Sequence, residues 1–202
     1  MIAIVDYGLG NLRSVKYALN RLGVASVLTC QPGVIASASG VILPGVGAFG
    51  RAMAKLRELG LLEATRAAAS SGRPFMGICL GLQLLFTESC EHGSHKGLAI
   101  IAGQVERFDD ELTVPHMGWN DVRQERPSPL FRDIPDESFF YFAHSYCAAP
   151  ADPAVLIGST EYGGRFASAV QMGMVFATQF HPEKSGPVGL RMLRNFCELC
   201  ES

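Results

Sequence analysis

The stretch Arg73-Pro-Phe-Met-Gly-Ile-Cys-Leu-Gly-Leu-Gln-Leu-Leu-Phe86 constrains the chain most, because it joins a buried strand to an apolar helix through one cysteine flanked by glycines. Residues 74–78 read as a short apolar strand and 80–86 as the first turns of a helix, with Gly77 and Gly81 at the junction. A strand running straight into a helix needs a sharp turn, and glycines leave room where backbones come close. Cys79 at the apex is then held in a strained conformation, the arrangement of a nucleophile elbow with sulfur in place of oxygen. The positive end of a helix dipole also favours the thiolate form of a cysteine placed there. A free cysteine is equally well a small buried hydrophobe. Partners elsewhere in the chain must decide between these readings.

Upstream of this stretch, strand and helix alternate. Residues 2–5, 24–28 and 40–43 read as strands. Between and after them lie a helix capped by Asn11, with Leu12, Val15, Leu19 and Leu22 on one face, and helical stretches at 48–59 and 61–69. That alternation predicts an α/β fold with a mostly parallel central sheet and helices on both faces. Ligands of such sheets lie beyond the carboxyl ends of strands, where both the loop Pro44-Gly-Val-Gly47 and Cys79 fall. After Cys90 the pattern becomes β-rich, at 98–108, 114–122, 139–146 and 155–159. An apolar strand at 173–180 stops at His181-Pro-Glu-Lys184, and a last helix capped by Ser185 is expected to bury Met192, Leu193, Phe196 and Cys200. No linker or composition break divides the chain, so residues 1–202 are expected to form a single domain.

Several functional classes are disfavoured. A net charge of −2 offers no basic stripe for nucleic acid. The N-terminal residues lack a cationic leader region, and no apolar run approaches the roughly 18 residues of a membrane helix. A cytoplasmic protein with its six cysteines largely as free thiols is expected. Gly8-x-Gly10 lacks the third glycine of a dinucleotide fingerprint, since Arg13 stands there. Cys90, His92 and His95 read as an exposed loop, because a structural zinc site wants four ligands with a second characteristic pair. Cys197-Glu-Leu-Cys200 closes a helix instead of opening one, so it reads as packing, not as a redox pair. No cofactor or metal is expected.

A cysteine nucleophile needs a base, and the base an orienting group. His181 ends a strand at the same sheet edge as the elbow and has Glu183 two residues on. In extended backbone, residues i and i+2 share a side, so Glu183 can hold one imidazole nitrogen while the other faces the thiol. His144, in Tyr141-Phe-Ala-His-Ser-Tyr146, is the rival base, with no carboxylate following closely. Cys79 would attack a carboxamide carbon, the backbone amides of Leu80 and of the 44–47 loop at Val46 would meet the oxyanion, and His181 would protonate the departing amine. These residues by themselves imply cysteine-dependent acyl transfer with the substrate undetermined.

Taken together, Pro44-Gly-Val-Gly47, Gly77-Ile-Cys-Leu-Gly-Leu-Gln83, Pro115-His-Met-Gly-Trp-Asn120, Tyr141-Phe-Ala-His-Ser-Tyr146 and Gln179-Phe-His-Pro-Glu-Lys-Ser185 resemble the class I (triad) glutamine amidotransferases. More narrowly, with Glu161-Tyr162-Gly163, they resemble the glutaminase subunits of imidazole glycerol phosphate synthase, over nearly the whole chain. The resemblance implies a flavodoxin-like three-layer fold and hydrolysis of glutamine to glutamate and ammonia by Cys79, His181 and Glu183. It implies that Gly47, Gln83 and the backbone of Ser145 and Tyr146 hold the substrate's amino-acid end. It further implies a heterodimer with a (β/α)8-barrel cyclase, contacted at Asn11, Trp119, Tyr141 and Lys184, which receives the ammonia and makes imidazole glycerol phosphate and aminoimidazole carboxamide ribotide in histidine biosynthesis. Leu112-Thr-Val114 departs from the basic residue often found before Pro115, and 172–178 is less typical, but neither touches the triad. The alternatives are a paralogous glutaminase feeding a different synthase, a silent subunit that only caps the cyclase, and a free-standing cysteine peptidase or deglycase.

Overall fold

Ile2 and Ile4 point to one side of the first strand and Ala3 and Val5 to the other, and all four are buried. Such a strand belongs inside a sheet covered on both faces. The computed structural model describes residues 1–109 and 111–201 and provides that setting. Its first half runs β1 (Ile2–Val5), α1 (Leu12–Arg21), β2 (Ser26–Thr29), α2 (Pro32–Ser37), β3 (Gly40–Gly45), α3 (Phe49–Glu58), α4 (Leu62–Ala69), β4 (Phe75–Cys79) and α5 (Leu80–Leu84). Then come β5 (Phe86–Ser89), β6 (His95–Lys96), β7 (Ile101–Arg107), β8 (His116–Gln124), β9 (Ser138–His144), β10 (Tyr146–Pro150), β11 (Leu156–Glu161), β12 (Arg165–Met172), β13 (Val175–Thr178) and α6 (Gly186–Leu199).

The strands in the order β2-β1-β3-β4-β13 are all parallel. Beyond β13 the sheet continues antiparallel through β12, β10 and β7, and β5 joins β7 in parallel. Strands β8 and β9 pair antiparallel and attach through β11. On one face, Val15 and Leu19 of α1 and Met192, Leu193 and Phe196 of α6 cover Ile2, Ile4, Ile42, Met76 and Phe176. On the other, Ile35, Phe49, Met53, Leu56 and Ala68 cover Ala3, Val5, Val41, Leu43 and Phe75. This is the expected α/β architecture with a β-rich second half. Among the described residues, no helix is long and apolar enough to cross a membrane.

Several local expectations are corrected. The helix after Cys79 ends at Leu84, and Phe86 already opens β5, because a continuous apolar run carries no period that separates the two. Helix α2 is six residues long, too short to show one. Strand β12 is buried over Phe166-Ala-Ser-Ala-Val170, where small residues hide any alternation. Cys197 is the buried cysteine of α6, and Cys200, at the helix end, is half-buried. Neither Asn11 nor Ser185 caps its helix with its side chain. The Asn11 oxygen accepts from the Ser14 hydroxyl at 2.8 Å, and the Ser185 hydroxyl donates to the His181 carbonyl at 2.6 Å.

The sharpest packing constraint lies at the elbow. A Cβ on Gly81 would stand 1.8 Å from the Leu43 carbonyl oxygen, a backbone atom with nowhere to go. Gly33, within α2, has nothing within 4 Å of such a Cβ. Gly81→Ala should therefore lower stability in urea unfolding by about 1–3 kcal/mol or more through overpacking. Gly33→Ala should raise it by about 0.4–1 kcal/mol by restricting the unfolded chain.

Candidate active site

Cys79 lies where β4 passes directly into α5, with φ 55° and ψ −110°. For a residue with a Cβ this left-handed backbone stores about 1–3 kcal/mol of strain, held by the packing around it. It is 5% exposed at the floor of a cavity of about 420 Å³. The register pairs Gly45 with Cys79, so the loop after β3 meets the elbow at the carboxyl end of the sheet. Gly45 is pinned, since a Cβ there would stand 2.4 Å from the Tyr7 hydroxyl and 2.9 Å from Leu80 Cβ. Gly47, by contrast, has φ +97° and open space around it, and Val46 between them is 39% exposed. The loop is thus fixed at its start and free at its end.

His181 follows β13, the neighbour of β4, which sets it beside the elbow. Its Nδ1 is 2.9 Å from Glu183 Oε1, and the two side chains are 3% and 1% exposed. The backbone from Pro182 to Lys184 is a 3-10 turn, not the extended segment expected. Pro182 in the first position sets that turn, and the carboxylate reaches the ring by folding back. Oε2 of Glu183 is buried with no hydrogen-bond partner among the described residues, so the carboxylate depends on His181 for its stabilisation. Burial works against a charged imidazole, but hydrogen bonds and charge interactions with Cys79 and Glu183 outweigh it and raise His181 to about 10. The ring is therefore held as an imidazolium between a sulfur and a carboxylate.

His144 has the opposite character. Burial pushes it down to about 3, against a hydrogen bond to the Tyr146 carbonyl, with the neighbouring rings of His116 and His181 adding to the fall. Its Nδ1 lies 2.8 Å from that carbonyl and its Nε2 3.1 Å from His116 Nδ1. Both nitrogens are engaged away from Cys79, which leaves His181 the better base.

The cavity brings together the other expected substrate residues. Gly47, Gln83, Ser145 and Tyr146 all line it, as do Val46 and Leu80. Gln83 donates to the Tyr146 carbonyl at 3.0 Å and to Gln179 Oε1 at 3.1 Å, and Gln179 Nε2 lies 3.7 Å from the Cys79 sulfur. Outside the cavity, the Trp119 ring meets Tyr141 edge-on at 6.2 Å, and Lys184 Nζ sits 5.6 Å over the Tyr141 ring. Tyr141 also accepts the His181 N–H at 2.9 Å through its carbonyl, tying this patch to His181. Met117, Trp119 and Phe139 on the β8–β9 pair are 65%, 55% and 59% exposed. Asn11 is half-buried at the start of α1, which packs near the Pro182–Lys184 turn.

Sequence reasoning missed four residues here. Tyr7, fully buried, donates to the Pro44 carbonyl at 2.9 Å and so braces the start of the Val46 loop. Glu91 accepts from the Phe49 N–H and lines the cavity with Arg107, placing a carboxylate and a guanidinium within one pocket. Gln179 bridges Gln83 to the sulfur. Only Gln179 carried a signal, its place two residues before His181; nothing in sequence spacing links residue 7 to 44 or 91 to 107.

Because His181 sits above its ordinary 6.5 when folded, the folded chain binds that proton more tightly than the unfolded one. Its stabilising contribution is complete below about pH 6.5 and is lost as pH rises through about 10. Urea midpoints measured across that window should fall with pH in the native chain. In Glu183→Gln, which removes one of the two partners holding the charge, the fall should be smaller and should end at lower pH.

The glutamine amidotransferase class-I family model matches residues 3–200. "Imidazole glycerol phosphate synthase subunit HisH" of Moorella thermoacetica is 54% identical over 198 residues, covering 98% of this chain and 94% of that protein. The protein of the same name from Desulfitobacterium hafniense is 50% identical over 196 residues, covering 97% and 93%. Among solved structures, one described as a glutamine amidotransferase superposes with a TM-score of 0.78 at 22% identity, covering 100% of both chains. PurLQS from Thermotoga maritima superposes at 0.75 with 18% identity, covering 98% of this chain and 97% of that one. These distant structures attest to the fold, and the curated relatives attest to descent. The chain belongs to the class-I glutamine amidotransferase family, among the HisH subunits of imidazole glycerol phosphate synthase.

Proposed function

We propose that residues 1–202 act as one cytoplasmic glutaminase domain in which Cys79, His181 and Glu183 hydrolyse glutamine for a (β/α)8-barrel cyclase bound as a heterodimer. The observation that carries this reading is the buried His181–Glu183 pair at 2.9 Å set beside a strained cysteine at the floor of a cavity. The Cys79 sulfur attacks the side-chain carboxamide carbon, forming the C–S bond and pushing the carbonyl electrons onto oxygen. Backbone N–H groups of Leu80 and Val46 meet that oxyanion. The His181 imidazolium gives its proton to the nitrogen, the C–N bond breaks and ammonia leaves. Water gives one proton to His181, restoring the imidazolium, and its oxygen attacks the thioester; the C–S bond breaks, the sulfur leaves as thiolate, and the new glutamate carboxyl loses its remaining proton to solvent. Glu183 holds the ring in position throughout.

Gly47, Gln83 and the backbone of Ser145 and Tyr146 hold the amino-acid end of the substrate. Glu91 and Arg107, of opposite sign within the same cavity, suit an ammonium and a carboxylate on one carbon. The docking face is the exposed side of β8 and β9 with Asn11, Trp119, Tyr141 and Lys184, where aromatic side chains are the usual anchors of an interface. Its tie to the His181 backbone through Tyr141 brings the cyclase to the edge of the active site. Ammonia passes to the cyclase there, for imidazole glycerol phosphate and aminoimidazole carboxamide ribotide formation in histidine biosynthesis. The Val46 loop, pinned at Gly45 and loose at Gly47, is the element through which the partner controls the oxyanion site.

Cys79→Ala should reduce ammonia release from glutamine on the order of 10⁴-fold or more, with folding intact by circular dichroism. A residual rate near that of the native chain would refute the covalent mechanism. Ammonia release by the native chain should be low alone and rise at least tenfold with the cyclase carrying its phosphorylated ribulosyl ligand. Comparable rates with and without it would remove the gating role of the loop.

A further inference from the structure

His144 and His116 are 6% and 5% exposed, and the reaction above uses neither. Their hydrogen bonds can be assigned from one end. The Tyr146 carbonyl only accepts, so His144 carries its proton on Nδ1, 2.8 Å away. A neutral His144 then accepts at Nε2, which puts the His116 proton on Nδ1, 3.1 Å from it. His116 Nε2 is left to accept from the Asn120 amide at 3.4 Å, and Asn120 also donates to the Glu161 carbonyl at 3.0 Å. From the opposite side, Gln83 donates to the same Tyr146 carbonyl and to Gln179 Oε1, so Gln179 turns its NH2 toward the Cys79 sulfur. Two directed runs meet at one carbonyl oxygen.

The surroundings preserve this direction. His116 is stacked between Phe142 at 4.9 Å and Tyr162 at 4.1 Å, and His144 lies against Phe108, Phe142 and Phe166. A second proton on either ring would set donor against donor in an apolar shell.

The geometry points to His116 and His144 as positioning residues for the glutamine site: the run from Asn120 through both rings fixes the Tyr146 carbonyl, and that carbonyl fixes Gln83 and, through Gln179, the amide hydrogens facing Cys79. This rests on the function proposed above. Strand β8, which carries His116 and Asn120 inward, presents Met117 and Trp119 outward, so the outer end of the run lies directly behind the docking face.

The test compares His144→Leu with His144→Asn in the full chain bound to the cyclase. Asn keeps a donor near the Nδ1 position, and Leu keeps none. His144→Leu should lower kcat/KM for glutamine at least tenfold, chiefly through KM, and His144→Asn should recover at least a third of the native value. Stability should run the other way, with the Asn variant unfolding at lower urea because it buries an incompletely paired amide. A residue that merely fills space would make activity follow stability. The rate of Cys79 alkylation by iodoacetamide, read on its peptide by mass spectrometry, should change at least threefold in the Leu variant and return toward native in the Asn variant. That measurement needs no turnover, so it judges the hydrogen-bonded run even if the native chain proves inactive on glutamine, a result that would defeat the functional reading instead. Equal kcat/KM and equal alkylation for the two variants, or activity ranked as stability, overturns the proposal. If His144→Leu does not fold, His116→Leu and His116→Asn should show the same order one link farther out.

Discussion

A Cβ at Gly81 would stand 1.8 Å from the Leu43 carbonyl, and one at Gly45 would stand 2.4 Å from the Tyr7 hydroxyl. The strand that leads to the Val46 loop and the turn that carries the sulfur therefore touch backbone to backbone. This contact sets the left-handed conformation of Cys79 against a rigid neighbour, so the strain of about 1–3 kcal/mol at φ 55° is sustained by packing elsewhere. It also fixes where the loop begins. What remains adjustable is the peptide between Val46 and Gly47, which is the part that our functional reading places under the partner's control.

Two buried histidines within one site show how environment divides a single chemistry. His181 and His144 both lose hydration, and that loss alone would keep each neutral. His181 faces a carboxylate and a sulfur, and their combined pull raises it to about 10. His144 faces a carbonyl and another neutral ring, and burial takes it to about 3. One ring is thus suited to give and take a proton, and the other to hold a fixed hydrogen-bond direction. The separation arises from the partners that each ring faces, not from any large difference in exposure, since the two are 2% and 6% exposed.

The site's legibility in the sequence followed the reach of local geometry. Cys79 could be read because the strand, the glycines and the helix that shape it are consecutive. His181 and Glu183 could be read because they stand two residues apart at a strand's end, although the turn that joins them is 3-10 and not extended. Tyr7, Glu91 and Arg107 could not, since each reaches the site from a different strand end or loop and no spacing records which ends converge. Strand β12 escaped for another reason: five consecutive residues are buried, and the alanines and serine between Phe166 and Val170 leave no alternation to read.

The sequence by itself determined the α/β alternation, the strand-to-helix elbow around Cys79, and the placing of His181 and Glu183 together at the end of a strand. Each of these is a property of neighbours along the chain, fixed by turn sterics, periodicity and side-chain chemistry over a few residues. Only the tertiary structure decided which histidine is charged, where Gln83 and Gln179 direct their amides, and that the Val46 loop is pinned by Tyr7 at one end and open at the other. These depend on the order β1-β3-β4-β13 and on burial, both of which are set by long-range packing and by no local stretch of the chain.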